Sequence, residues 1–152
     1  MVRKSKFGSY YKQGHFHPKN KEKYKGKYPI MMRSSWEFKF AMWADRNPSI
    51  VSWGSESAVV RYFDPVSKRT RRYLIDFTMI VKDKAGNQKK YFIEIKPHKE
   101  TIKPVKGRKS DKSFLYETLT YAKNTAKWEA AEKFAKGKGA KFIILTENEL
   151  MI

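Results

Sequence analysis

The chain has 152 residues, enough for one domain, and 40% of them are hydrophobic, so it can bury a core of its own. Its 34 lysines and arginines stand against 15 aspartates and glutamates, which gives a formal net charge of +19. Such a surface attracts polyanions, with nucleic acid as the leading partner. The absence of cysteine excludes disulfides, thiolate zinc sites and cysteine nucleophiles.

No apolar run reaches the ~18–20 residues that a membrane span needs. The basic N-terminus lacks the apolar stretch of a signal peptide. We therefore expect a protein that acts inside the cell and has no membrane partner.

Residues 1–29 are predicted to form a basic arm, in which nine lysines and arginines are opposed by one acidic residue, Glu22. Tyrosines and phenylalanines interleave with the basic residues, and neither a helical nor a strand period is sustained. This composition suits phosphate contacts and base stacking. The alternative is a tail whose aromatic side chains dock on the protein's own domain, which we place at residues 30–152.

The first regular element is predicted at residues 34–46. Apolar residues recur there at i, i+4, i+7 and i+8, which is typical of a helix with one buried face. Ser34 is a good N-cap, and Asn47-Pro48 stops the helix. Two short strands are then expected at residues 50–56 and 58–63, followed by a turn at residues 64–68.

The strongest β signal is a hairpin of residues 71–81 and 89–96 around a turn at residues 83–87. Its first strand is apolar on both faces, with Leu74 and Ile80 on the second face. This pattern is typical of a central strand covered by helices on both sides.

The C-terminal part is predicted to begin with a basic loop at residues 97–113, followed by a long helix at 113–139 and a final buried strand at 141–147. The apolar residues of this helix, from Leu115 and Leu119 to Trp128 and Phe134, follow the helical period and predict one apolar face. The element order is then a first helix, the strands that end with the hairpin, a long helix and a final strand. This order predicts an α/β fold, a mixed β-sheet flanked by helices, with the basic arm in front.

The register of the hairpin brings two carboxylates together. Asp76 lies nine residues before the turn centre at Ala85, and Glu94 lies nine after it. Residues directly opposed in an antiparallel pair have Cβ atoms ~4.5–5.5 Å apart. Lys96, two residues beyond Glu94, projects from the same face.

Opposed carboxylates repel each other and are costly to bury, so a purely structural strand pair would avoid them. A divalent cation turns that cost into a binding site, and oxygen ligands suit Mg²⁺ or Mn²⁺. A lysine beside them can orient a water molecule or stabilise negative charge on a phosphate. Glu37 has two interpretations: it completes a capping box with Ser34, or it points at the metal site from the first helical turn.

These residues resemble the PD-(D/E)xK, or restriction-endonuclease-like, nuclease family. Its motif set is matched by Glu37 in a first helix, by Leu-Ile-Asp-Phe at residues 74–77 and by Ile-Glu-Ile-Lys at 93–96. The Asn-x-x-Lys-Trp stretch at residues 124–128 is similar to the endonuclease subunits of Tn7-like transposons. The stretch at residues 10–30 resembles the head-completion nucleases of T-even-like tailed phages.

The resemblance implies a restriction-endonuclease-like core and a role for each matched residue. Asp76 and Glu94 would bind Mg²⁺, with the Ile95 carbonyl as a further ligand, while Lys96 positions the water and Glu37 supports the first or a second metal. The sequence departs from the transposon subgroup at Glu94, where glutamine is usual, and at Ile75, where the family often has proline.

DNA contacts are expected from two regions. The loop after Lys96 and the start of the arm supply the candidate DNA-binding residues, which are Lys99, Lys103, Lys106, Arg108, Lys109, Lys112, Arg3, Lys4 and Lys6. The loop leaves the sheet directly after Lys96, so its lysines can hold the scissile phosphate.

The sequence therefore predicts a Mg²⁺- or Mn²⁺-dependent endonuclease of double-stranded DNA, without an organic cofactor. The resemblance implies a role in phage head completion after DNA packaging, with head, portal or neck proteins as partners, in the host cytoplasm or within the virion. Two alternatives stay open: a non-cleaving, basic DNA-binding virion protein on the same fold, and a junction resolvase or transposition nuclease. A membrane-surface protein fits least, because the arm has no amphipathic helix.

Overall fold

Two sheets, three α-helices and two short 3₁₀ helices make up the structure, a computed structural model that describes residues 13–151. The strands are β1 (Gly14–Phe16), β2 (Ile30–Met32), β3 (Ile50–Asp64), β4 (Arg69–Lys82), β5 (Gln88–Ile95) and β6 (Lys141–Leu145). The helices are α1 (Ser35–Arg46), α2 (Asp111–Gly137) and α3 (Glu147–Leu150). Among the described residues, no helix is both long and apolar enough to cross a membrane.

The main sheet has the strand order β3-β4-β5-β6, in which β6 pairs parallel to β5 and the other pairs are antiparallel. It is mixed, as predicted. Helices cover both faces of its central strands: Ile93 of β5 lies in a core cluster with α1, and its neighbour Phe92 lies in a second cluster with α2. The predicted α/β fold of the restriction-endonuclease-like type is therefore confirmed.

The two strands predicted at residues 50–56 and 58–63 are one strand, β3, with a β-bulge. Its register against β4 shifts by one residue between Ser55 and Ala58, and Glu56 has a positive φ of 49° within the bulge. The polar Ser55-Glu56-Ser57 segment signalled a break, but a bulge accommodates it without ending the pairing.

β4 contributes to both core clusters. Tyr73 and Ile75 pack with α2, whereas Phe77 and Met79 pack with α1. Alternate residues of a flat strand share one face, so the β3–β4 ribbon must turn about its own axis between residues 75 and 77. The bulge of β3 lies opposite this point, and bulges increase local twist.

The described part of the predicted arm packs on the domain. β1 pairs with β2, and Phe16 and Tyr24 lie in the core cluster around Trp53, with ring centres 5.6 and 4.7 Å from the Trp53 ring. Residues 13–29 therefore follow the alternative prediction, in which aromatic side chains of the arm dock on the domain. They also contain the short strand β1, which the sequence did not predict. Arg3, Lys4 and Lys6, predicted to bind DNA, lie outside the described residues.

Three predictions about burial and bounds were wrong. Leu74 is 45% exposed, because it lies on the part of the β3–β4 ribbon that extends past the end of the pairing with β5. α2 begins at Asp111, not at residue 113, because Ser110 caps it. The predicted apolar face of α2 is buried around Trp128, whereas Leu115 and Leu119 are 58% and 41% exposed at its N-terminal half.

The last predicted strand also ends early. β6 stops at Leu145, and its side chains are partly buried. Thr146 instead caps α3 and forms a capping box with Glu149.

Candidate active site

The candidate site lies where β4 and β5 separate. The last paired residues of this ladder are Phe77 and Ile93, so the next positions along the two strands are Asp76 and Glu94. The observed register has the predicted centre at residue 85. The hairpin arithmetic predicted this register, but it predicted Asp76 and Glu94 as a directly opposed pair within the ladder. In the structure the pairing ends one step earlier, so the two carboxylates lie at the mouth of a fork between neighbouring strands.

Asp76 bridges the open end of the fork. Its Oδ2 accepts a hydrogen bond of 2.9 Å from the backbone N–H of Ile95. The Asp76 side chain of β4 thus accepts from the Ile95 N–H of β5, which would otherwise be available for the next hydrogen bond of the ladder. Burial raises the pKa of Asp76 above its usual range, and the Ile95 N–H opposes that shift.

Glu94 is buried and is held by two neighbours. The Tyr73 hydroxyl donates to Glu94 Oε2, and Lys96 Nζ lies 3.8 Å from Glu94 Oε1. Burial raises the pKa of Glu94, and the nearby Asp76 carboxylate adds to the rise. Both carboxylates are thus in positions where negative charge is unfavourable without a cation.

Glu37 serves the helix start and also faces the site. The Ser34 hydroxyl accepts from the Glu37 N–H at 3.1 Å, as expected of an N-cap, but the Glu37 carboxylate accepts from the Arg33 N–H at 3.2 Å rather than from that of Ser34. The predicted capping box is therefore only half formed. Burial, followed by the Asp76 charge, raises the pKa of Glu37 to about 7.

Four residues of the surroundings were not identified from the sequence. Lys127 of α2 lies over two tyrosines, with Nζ 5.8 Å from the Tyr62 ring centre and 5.5 Å from that of Tyr73. Burial and the Lys96 charge lower the pKa of Lys127. The negative charge of Glu56, in the bulge, helps to raise the pKa of Asp76. Glu56 also forms a 3.0 Å ion pair with Arg33.

No local sequence signal pointed to Tyr62, Tyr73 or Glu56. The Tyr73 hydroxyl meets a glutamate 21 positions further along the chain. The Asn-x-x-Lys-Trp stretch could have drawn attention to Lys127, but helix surface and core explain a lysine and a tryptophan there equally well.

The donor set fits a hard divalent cation. Asp76 and Glu94 offer carboxylate oxygens, and burial makes their charge costly, so a cation would offset both. Within residues 13–151, no three side chains of histidine, aspartate or glutamate are arranged to hold a metal. The predicted ligand Glu37 therefore does not form such a cluster with Asp76 and Glu94. A cation held by these two carboxylates would need other ligands, for which the predicted Ile95 carbonyl and water are the candidates.

The predicted basic residues of the loop after Lys96 differ in their contacts. Lys106 and Lys109 form ion pairs with Asp111 and Glu117 at 3.2 and 2.6 Å. Lys99 and Lys103 line a groove of 720 Å³ between the loop and α2. Arg108 is exposed in the loop, and Lys112 is in the first turn of α2 rather than in the loop.

Comparison with known proteins assigns this chain to a family. The family model described as "TnsA-like endonuclease N terminal" matches residues 47–147, about two thirds of the chain. The chain belongs to the TnsA-like endonuclease family. The matched region of this TnsA-like endonuclease contains Asp76, Glu94 and Lys96, whereas Glu37 precedes it.

A curated relative agrees with this assignment. The chain is 46% identical over 142 residues to the head completion nuclease of Enterobacteria phage T4. The aligned region covers 90% of this chain and 92% of the T4 protein. No solved structure matches the chain significantly. The suspected resemblance to both groups of nucleases is thereby confirmed.

Proposed function

We propose that this TnsA-like endonuclease hydrolyses phosphodiester bonds of double-stranded DNA with Mg²⁺ or Mn²⁺ at the fork between β4 and β5. The observation that carries the proposal is the pair of carboxylates, Asp76 and Glu94, at adjoining strand positions with Lys96 beside them. A structural role for this arrangement is disfavoured, because it places repelling charges at a partly buried position.

Each residue has a distinct task in this scheme. Asp76 and Glu94, with the Ile95 carbonyl, would hold the cation, which supplies positive charge to offset the phosphate during hydrolysis. The ammonium of Lys96 can orient an attacking water and stabilise the charge that develops on the phosphate oxygens. The Ile95 N–H fixes the Asp76 carboxylate, so the site is organised before DNA arrives.

The cleavage assay uses plasmid DNA with Mg²⁺, with Mn²⁺ or with EDTA. Nicking or linearisation in either metal, abolished by EDTA, supports the proposal. Asp76→Asn and Glu94→Gln should remove cleavage and keep or tighten DNA binding, because less negative charge then faces the phosphates. Glu132→Gln, an equally small change at an exposed glutamate of α2, is the matched control and should cleave normally.

Cleavage that persists in EDTA would contradict metal dependence. DNA binding without cleavage under any metal condition would instead favour a non-cleaving virion protein on the same fold.

We further propose that this activity serves phage head completion after DNA packaging, in the host cytoplasm or in the assembling virion, with head, portal or neck proteins as partners. The support is the name of the T4 relative and the near-complete coverage of both chains. Complementation tests it: the chain should restore progeny to a T4 mutant lacking its head completion nuclease, and the Asp76→Asn variant should not. Equal rescue by both would separate head completion from cleavage.

A further inference from the structure

The β3–β4 ribbon extends well past the rest of the main sheet. Residues 58–64 of β3 pair with residues 69–75 of β4, whereas the β4–β5 ladder ends at Phe77 and Ile93. One face of this ribbon packs on α2 through buried residues that include Val60 and Tyr73. Its other face is exposed and has no role in the site described so far.

Two arginines face each other at the centre of the exposed face. Arg61 is the direct partner of Arg72 in the β3–β4 register, and both are exposed. Like charges directly opposed across a strand pair, with Cβ atoms ~4.5–5.5 Å apart, destabilise the pair. Within residues 13–151 neither arginine forms an ion pair, unlike Arg71, which lies 3.2 Å from the buried Asp64.

The neighbours of the two arginines add both charge and apolar surface. Lys68 follows in the exposed turn at the end of the ribbon, whereas Arg69 pairs with the buried Asp64 and belongs to the other face. Val59 pairs with Leu74 on one side of the arginines, and Phe63, which is 61% exposed, lies on the other. An unneutralised positive strip edged by apolar side chains complements phosphates together with sugar rings.

We propose that the exposed face of this ribbon binds the phosphate backbone of double-stranded DNA next to the nuclease site. A two-stranded ribbon has dimensions that fit a DNA groove. Ile75, the last ribbon residue on β4, directly precedes Asp76, so the ribbon is continuous with one side of the fork. The inference rests on the proposed function for the identity of the polyanion, and it adds a binding surface separate from the arm and the 97–113 loop.

The test is the salt dependence of duplex binding by an Arg61→Gln/Arg72→Gln double variant, measured in EDTA so that no cleavage occurs. Each phosphate that a basic side chain neutralises contributes about 0.9 to the slope of log affinity against log salt concentration, so removing both arginines should flatten the slope by about 1.8. The melting temperature without DNA should stay equal or rise, because the variant removes a repulsion.

The matched control is Lys84→Gln/Lys89→Gln, which removes the same charge at the exposed turn end of the β4–β5 hairpin. Its slope should change much less than that of the arginine variant. Equal changes in the two variants, or an unchanged slope in the arginine variant, would overturn the proposal and would leave the ribbon face to a protein partner.

The outcome is separable from that of the proposed function. If the arginine variant has a flattened salt slope in EDTA but the unaltered protein does not cleave DNA in Mg²⁺ or Mn²⁺, the ribbon surface is supported and the nuclease mechanism is refuted. Metal-dependent cleavage with an unchanged slope would support the mechanism and refute the ribbon surface.

Discussion

The Tyr73 hydroxyl donates a hydrogen bond to the Glu94 carboxylate across the fork between β4 and β5. The Tyr73 ring also lies beneath the Lys127 ammonium, at 5.5 Å. The Tyr73 side chain therefore connects Glu94, a proposed metal ligand, to the Lys127 ammonium of α2. Residues that hydrogen-bond to metal ligands fix the ligand orientation and thereby tune metal binding.

Tyr73→Phe should lower the affinity for Mn²⁺ or Mg²⁺ and the cleavage rate by about 10- to 100-fold, because Glu94 loses the donor that orients it. Calorimetric metal titration and the metal dependence of plasmid cleavage measure this. Tyr62→Phe is the control: Tyr62 also lies beneath Lys127 but makes no hydrogen bond to Glu94. Equal metal affinity in both variants would show that Tyr73 has only a packing role.

Glu37→Gln separates the two tasks of Glu37. The Ser34 cap uses the backbone N–H of residue 37, which the variant keeps, and the Gln amide oxygen can still accept from the Arg33 N–H. We therefore expect an unchanged or higher melting temperature and a lower cleavage rate. A lower melting temperature with normal cleavage would show that Glu37 supports the helix start alone.

The metal-free protein should lose stability as pH rises. The pKa of Glu37 is about 7 in the folded state against 4.5 as its ordinary value, so the folded state binds its proton more tightly than the unfolded state does. The stability is then fully present below about pH 4.5 and is lost as pH rises through 7, by an amount on the order of 3 kcal/mol.

Urea unfolding in EDTA at pH 5.5 and pH 8 tests this dependence. Glu37→Gln should reduce this dependence without removing it, because the pKa values of Asp76 and Glu94 are raised as well. Added Mg²⁺ should raise stability at pH 8. A metal-free protein that is more stable at pH 8 than at pH 5.5 would contradict the expectation.

Two N-terminal deletions should have different effects. Removing residues 1–12 takes away four basic residues and should flatten the salt slope of DNA binding by about 0.9 for each phosphate that these residues neutralise. Removing residues 1–29 also takes away the buried Phe16 and Tyr24, so it should lower the melting temperature as well. Affinity at several salt concentrations and thermal unfolding measure both, and an unchanged slope after the shorter deletion would assign that segment to a protein partner.

The register around the candidate carboxylate pair was predictable because a short symmetrical turn sets the register of a hairpin. The turn at residues 83–87 therefore brought Asp76 and Glu94 to corresponding positions, but it could not show that the two strands separate just before them. The docking of Tyr24 on Trp53 depends on residues far apart in the chain, so no local period could indicate it. Similarly, the helical period of α2 continues past the edge of the sheet, so it could not show that Leu115 would stay exposed.

The division of β4 between two core clusters ties folding to activity. Tyr73 and Ile75 belong to one cluster and Phe77 to the other, with Asp76 between them. Neither cluster can come apart without displacing a strand that the other needs, so local unfolding of either half removes the carboxylate pair. A partly folded chain would then lack a complete cleavage site, and hydrolytic capacity would arise only when the two cores have joined.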